Sequence, residues 1–331
     1  MKFCKSLLTV IVAMTGCISF AQNKADVVLW YDKPAENWLE ALPLGNSSMG
    51  AMVFGGVTQE EIQLNEETFW AGSPHNNNNP TAKTRLDDIR NLIFAGNTKL
   101  AQDVVDSTFF SGKHGMAFLT LGSLMVDFKY PAGDVKDYRR ELDLSKALNT
   151  TTYSVGGVKY TRTAFASLAD NVVVIRMTAD KPGSINASFS YTSPLQKNEV
   201  RVSGNTIIQT SYGPDQETVE GKLVASTVTK IISDGRIISG DSSISVSGAD
   251  ELVVEISAGT NFVNYKDISG NGLAKATKAL ESVAGKSVDA LYAAHLAKYS
   301  AQFDRVSISL PRGENSGLVT SERLSRFNEG K

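Results

Sequence analysis

Cysteine is nearly missing from this sequence. Of 331 residues, only Cys4 and Cys17 carry a thiol, and both lie inside a stretch that reads as an export leader. A chain that loses them uses no disulfides and tolerates an oxidising compartment. With no thiolate left, a zinc site has little to build on. The three histidines, His75, His114 and His295, stand in no metal-ligand spacing. An excess of one charge is also missing. The formal net charge is −2 with no long acidic or basic run, so nucleic-acid binding has no electrostatic footprint. No segment after the leader is long and apolar enough to span a bilayer. Several catalytic signatures are absent as well. "GNSSMG" at Gly45 to Gly50 has the wrong spacing for a GxSxG elbow. No Walker loop is present, and no GxGxxG follows a strand and opens a helix. Neither a metal nor an organic cofactor is expected.

The leader covers residues 1–21. Lys2 and Lys5 form its positive end and Leu7 to Met14 its apolar run. Ser19-Phe20-Ala21 fits the small-x-small cleavage rule, leaving Gln22 as the new N-terminus. Cys17 after Met14-Thr15-Gly16 offers a competing lipoprotein reading, which Met14 fits poorly. The mature chain keeps 31 basic against 35 acidic residues, a balance of −4. A periplasmic or secreted location follows from the cleaved leader.

What is there is mostly strand punctuated by turns. Hydrophobic residues make up 42% and charged residues 21%, a globular composition. "YSVGGVKYTRTAF" sets Gly156-Gly157 between two runs rich in Tyr, Val and Thr, a two-residue hairpin signal. The same signal recurs at Gly204-Asn205, at Asp234-Gly235 and at Gly248 to Asp250. "MGAMVFGGVTQEEIQLN" reads as strand, glycine turn, strand. Many short strands and few helices predict an antiparallel β-sandwich. Two interruptions are helical. "TAKTRLDDIRNLIFAGNTKLAQDVVDSTFF" predicts two helices broken at Gly96-Asn97. "GLAKATKALESVAGKSVDALYAAHLAKYSAQFDRV" predicts two more, divided at Gly285-Lys286, with Ser287 capping the second. His295 falls on the apolar face of that second helix, where a structural role is expected. "RVSISL" reads as a short strand. "TSERLSRF" reads as the start of a further helix with no partner behind it.

One stretch stands apart. "QLNEETFWAGSPHNNNNP", Gln63 to Pro80, leaves a strand and becomes a run of amides and carboxylates around one tryptophan. Asn65, Glu66, Thr68, Trp70 and His75 offer what a sugar needs. Amides and carboxylates pair with its hydroxyls, and an aromatic face meets its C–H surface. A glycosidase normally needs two carboxyl groups. Glu66 and Glu67 are adjacent, so on a strand they would point to opposite faces and cannot form that pair. The competing reading is a polar hairpin arm with Trp70 packed at the core edge.

"WLEALPLGNSSMGAMVFGGVTQEEIQLNEETFWAGSP", Trp38 to Pro74, resembles the N-terminal signature of glycoside hydrolase family 95, the α-L-fucosidases acting on α-1,2-linked fucose. The resemblance continues through "DYRRELDLSKAL", "VGGVKYTRTAFASLADNVVVIRMTADKPGSI", "FDRVSISL" and "TSERLSRFNEGK". At "FLTLGSLMVDF", Thr120 and Ser123 stand where that family usually carries a proline and an aspartate.

The resemblance implies a mainly β fold: an antiparallel β-supersandwich with a helical insertion, a helical linker, and the first helix of an (α/α)6-barrel otherwise missing from the chain. The implied divisions are 1–21 leader, 22–270 supersandwich, 271–304 linker and 305–331 start of the catalytic domain. The family hydrolyses fucose from glycans with inversion, using carboxylate and amide groups of the barrel. No catalytic residue therefore transfers to this chain. The implied partners are a fucosylated glycan and the barrel, with Asn65, Glu66, Thr68, Trp70 and His75 either touching sugar or bracing the barrel wall. The other candidate role is a stand-alone carbohydrate-binding or structural module.

Overall fold

A computed structural model describes residues 27–110, 115–308, 310–311 and 313–330. The expected leader and His114 lie outside the described residues. Period-2 alternation dominates the chain, and it builds two stacked antiparallel sheets. The nine-stranded sheet runs in the order β1 (Val28–Tyr31), β6 (Lys136–Asp143), β7 (Leu148–Val155), β8 (Val158–Ala166), β9 (Val173–Ala179), β16 (Glu251–Thr260), β13 (Val224–Ser233), β12 (Thr206–Tyr212), β11 (Asn198–Ser203). The seven-stranded sheet runs β14 (Arg236–Ser239), β15 (Ile244–Ala249), β10 (Ile185–Thr192), β5 (Gly122–Phe128), β4 (Gln59–Glu66), β3 (Met49–Val53), β2 (Leu42–Gly45).

Strand burial follows the alternation. In β4, Glu60, Ile62, Leu64 and Glu66 are buried, while Glu61, Gln63 and Asn65 are half-buried on the outer face. The inner faces of the two sheets meet in one core that includes Leu64, Leu124, Tyr153, Tyr160, Phe189 and Ile256. Four of the five α-helices among the described residues are amphipathic by the same logic at a period of 3.6. α3 (Gly272–Val283) and α4 (Val288–Phe303) cover the outer face of the nine-stranded sheet. There Ala276, Leu280, Val283 and Leu291 pack on Phe165, Val174, Val228 and Val253. Asn271 and Ser287 cap these helices by accepting from Ala274 N–H and Ala290 N–H. α5 (Thr320–Asn328) docks its first turn on β1, where Trp30 N–H donates to Thr320 Oγ1 at 3.0 Å. That helix therefore has a partner for its first turn, contrary to expectation, while Leu324 and Phe327 remain exposed.

Two hairpin signals behave as expected. Val155 pairs with Val158 across Gly156-Gly157, and Ser203 pairs with Thr206 across Gly204-Asn205. The other two do not. Asp234-Gly235 joins β13 of one sheet to β14 of the other, and Gly248 to Asp250 carries the chain back from β15 to β16. Both are corners between sheets. Asp234 Oδ1 ties them together by accepting from Asp250 N–H and Glu251 N–H at 3.0 and 3.2 Å. The segment expected as a strand at 305–310 is not one where it is described. Val306, Ile308 and Leu310 are exposed there.

His295 is buried on α4, as the apolar face required. Its Nδ1 accepts from Leu168 N–H at 3.4 Å, its ring stacks on Tyr299, and burial lowers its pKa. The imidazole is a neutral packing element.

Candidate functional site

Between β4 and β5 the chain leaves the sheet for an excursion that contains Thr68, Trp70 and His75, while Asn65 and Glu66 are the last two residues of β4. The excursion consists of a loop, a helical hairpin of α1 (Leu86–Phe94) and α2 (Thr98–Thr108), and a return segment. The loop is held between two other segments. Ala71 N–H donates to Ala117 O, and Leu119 N–H to Phe69 O. Gly72 N–H donates to Pro214 O, and Lys222 N–H to Gly72 O. Gln216 Oε1 accepts from Ala117 N–H at 2.7 Å. Gly72 sits at φ 69°, and a Cβ there would stand 2.6 Å from Met116 Sδ. Only glycine meets both the left-handed conformation and that contact.

The five residues divide into separate groups. Glu66 is the last inward residue of β4 and lies between the sheets. Its Oε2 accepts from Thr68 N–H at 2.8 Å and from Thr68 Oγ1–H at 2.7 Å. Thr68 Oγ1 in turn meets Thr260 Oγ1 at the end of β16. With its proton on the carboxylate, Thr68 accepts there and Thr260 donates. Lys275 of α3 caps the arrangement by donating to Thr260 O and Phe262 O at 3.0 and 2.6 Å. Burial pushes the Glu66 carboxyl above its ordinary value, while the two Thr68 hydrogen bonds pull it down. Glu66 and Thr68 thus form a polar clamp between β4, β16 and α3.

Asn65 points the other way, onto the outer face of the seven-stranded sheet. Its cross-strand neighbour is Gly50, where a Cβ would lie 2.4 Å from Asn65 Oδ1. Glycine at 50 gives the amide its place. Trp70 is 42% exposed, so it is no core-edge residue. Its Nε1–H donates to Glu67 O at 2.9 Å, and its ring leans on Phe118 with centroids 5.1 Å apart. The two residues also form an isolated antiparallel bridge. His75 Nδ1–H donates to Ser73 O at 2.7 Å, leaving Nε2 as a buried acceptor with no hydrogen bond among the described residues. The structure therefore joins Glu66 with Thr68 and keeps Asn65, Trp70 and His75 apart from that pair.

Sequence reasoning missed Phe118, Thr260, Lys275 and Gln216. Phe118 carried a weak signal as an aromatic next to the departing "LTLGS". The other three are distant in sequence and gave none. Thr120 and Ser123 have structural work in this chain: Thr120 Oγ1–H donates to Leu64 O, and Ser123 Oγ–H donates to Glu61 Oε1 at 2.7 Å.

A second ionisable cluster lies deeper. Arg162 Nη2 and Glu60 Oε2 pair at 3.0 Å between the sheets, both buried. Glu60 Oε1 also accepts from Gly55 N–H and Glu61 N–H. Tyr130, Tyr138, Tyr153 and Tyr160 crowd around the pair. Perturbed groups mark sites only where a substrate reaches them. The adjoining cavity of about 30 Å³ has room for a water or two, so this cluster joins sheet to sheet. Among the described residues no three His, Cys, Asp or Glu side chains are grouped to hold a metal ion.

The arrangement around Trp70 supplies an exposed aromatic pair on a rigid loop, flanked by backbone and hydroxyl groups. Among the described residues it contains no pair of free carboxyl groups facing a common space, so what it offers is a surface that can bind or brace.

Comparison with known proteins matches residues 29–265 to the family described as glycosyl hydrolase family 65, N-terminal domain. Alpha-L-fucosidase 2 of Arabidopsis thaliana is 31% identical over 90% of this chain and 39% of its own length. Probable alpha-fucosidase A of Aspergillus niger is 28% identical over 94% of this chain and 41% of its own length. The Aspergillus oryzae protein of the same description is 26% identical over 92% and 44%. The chain thus spans about two fifths of the length of these relatives. Among solved structures, a putative kojibiose phosphorylase from human microbiome aligns with a TM-score of 0.49 and 10% identity, over 83% of this chain and 37% of that one. With a family match covering most of its sheets and sequence relatives that are α-fucosidases, this chain belongs to the glycosyl hydrolase family 65 N-terminal domain family, as the N-terminal domain of an α-fucosidase-like glycoside hydrolase.

Proposed function

We propose that this chain is the N-terminal part of an exported α-L-fucosidase that removes α-1,2-linked fucose from glycans with inversion, and that the reacting carboxyl groups lie in a barrel outside it. In this reading residues 22–270 are the sandwich domain, 271–304 the linker and 305–331 the beginning of the catalytic domain. The single observation that carries it is the combination of coverage on the two sides. More than nine tenths of this chain matches probable alpha-fucosidase A, yet only 41% of that protein is accounted for. The geometry supports the same division of labour, because Glu66 is held by Thr68 between the sheets, and Glu67 alone does not make the carboxyl pair that hydrolysis needs.

The excursion between β4 and β5 is the surface that would meet the barrel. Trp70, Phe118, Phe109 and Phe110 are exposed there, and so are Ile93, Phe94 and Leu100 of the helical hairpin. Asn79 Nδ2–H donates to Phe110 O at 2.8 Å, which ties the loop to the segment after the hairpin. Large apolar side chains gathered on one exposed excursion mark a candidate interaction surface. Trp70 and His75 then face the composite pocket, while Glu66 and Thr68 hold the loop from behind.

The test is an assay on an α-1,2-fucosyl oligosaccharide. The chain alone is expected to release no fucose. The same chain continued to the length of its relatives is expected to release it, as the β-anomer at first. Release by the chain alone, or none by the continued protein, would overturn the reading.

A further inference from the structure

On the outer face of the nine-stranded sheet, the junction of α3 and α4 stops short of covering β13, β16 and β9. The gap is a groove of about 390 Å³, within the range of small-molecule sites. Its floor is formed by Ile232, Val253 and Glu255, and its wall by Lys286, Ser287 and Val288. Glu255 is the unexplained group. It is only 3% exposed, and its Oε2 makes no hydrogen bond among the described residues. Burial raises its pKa, and Lys230, its cross-strand neighbour, opposes that. A buried carboxyl without a hydrogen bond is costly to keep, so a fold that keeps one at the floor of a groove has a place for a donor.

Of the neighbouring cations, Lys230 reaches Glu255 through its charge alone, with no hydrogen bond between them among the described residues, and the other two are committed elsewhere. Arg176 Nε lies 2.7 Å from Glu251 Oε1, out of line for a hydrogen bond but paired in charge, and Arg176 Nη1 lies 3.4 Å from Asp289 Oδ1. Lys286 Nζ is held 2.8 Å from Asp170 Oδ1. With Asp234 also at the rim, acids outnumber bases along the lining, which disfavours an anion. A divalent cation lacks the grouped ligands it needs. What the groove offers is a carboxyl acceptor, the hydroxyl proton of Ser287 beside its cap bond from Ala290 N–H, and an apolar floor. A ligand with several hydroxyl donors and one C–H face satisfies all three.

We propose that this groove binds a single sugar ring, with Glu255 accepting from its hydroxyls and Ile232 and Val253 against its C–H face. The site is separate from the Trp70 loop. Glu255 faces outward, whereas Thr260 of the clamp faces the core five residues along β16, ~17 Å away at strand rise. The inference goes beyond the hydrolase reading and does not require a barrel.

Methyl α-L-fucopyranoside, methyl β-D-galactopyranoside and n-butylammonium are titrated separately into the full chain, with amide chemical shifts as the readout. At least one sugar is expected to move the amides of Ile232, Glu255 and Val288 saturably. Glu255→Leu is expected to weaken that binding tenfold or more, and Glu255→Gln less. Trp70→Ala is expected to leave it unchanged. Glu255→Leu removes a buried unpaired carboxyl, so unchanged or raised thermal stability will show that the variant folds. The proposal is overturned if neither sugar shifts these amides, if n-butylammonium binds there in place of sugar, or if the Leu variant binds as well as the parent.

Discussion

Glu66 is a carboxylate of the kind that meets sugar hydroxyls, and in this fold it accepts from Thr68 between the sheets instead. Strand alternation placed it on the inward face, opposite Asn65, and that much followed from the sequence. Its partner Thr68 lies two residues on, but Thr260 is 192 residues away from Thr68 and could be found only by folding. The sign of its titration follows from burial. Its folded-state pKa is raised above the ordinary 4.5. Glu66 therefore adds stability below pH 4.5, and that contribution is lost as pH rises through the folded value. Glu66→Gln removes this pH dependence. Chemical denaturation from acid to neutral pH should show the variant gaining on the parent as pH rises, and a constant difference would disprove the assignment.

The same local signal led to two different elements. Gly156-Gly157 and Gly204-Asn205 are hairpins, whereas Asp234-Gly235 and Gly248 to Asp250 are corners between sheets. A two-residue turn reads alike in both cases, because the choice depends on which strand the next segment pairs with. That choice is set by burial. Ile244 and Val246 of β15 pack inward against β10 of the seven-stranded sheet, and Leu252 and Val254 of β16 pack inward from the nine-stranded one. The corner is tight. A Cβ at Gly235 would stand 2.7 Å from Ser247 O and 2.8 Å from Ala249 N, both backbone atoms. Gly235→Ala should lose about 1–3 kcal/mol from this overpacking, measured by urea unfolding. A loss within 0.5 kcal/mol, the usual range for a surface change, would mean that the corner is loose. The helices were easier. Periodicity, glycine breaks and the Ser287 cap were all legible, since helix signals are local.

For the whole molecule, the largest consequence is a surface left without a cover. α1 and α2 bury Ile89 and Ala101 between them and leave Phe94 85% exposed. An isolated chain carrying this face should self-associate. Phe94→Ser combined with Leu100→Ser should shift sedimentation toward monomer while changing unfolding free energy by no more than about 0.5 kcal/mol, as for other exposed positions. Unchanged association would show that another surface drives it.

Alternation and turn residues in the sequence determined that the chain is an antiparallel sandwich with two helical interruptions. The long Trp38 to Pro74 motif determined its family likeness. Both are local records, carried by residues close together along the chain. The tertiary structure alone decided which turns cross between sheets and that Glu66 and Thr68 clamp Thr260. It also decided that Trp70 finds Phe118, and that Glu255 is left unpaired beneath the α3–α4 junction. These depend on strand order and on what happens to cover each face, and residues far apart in sequence carry no mark of their eventual contact.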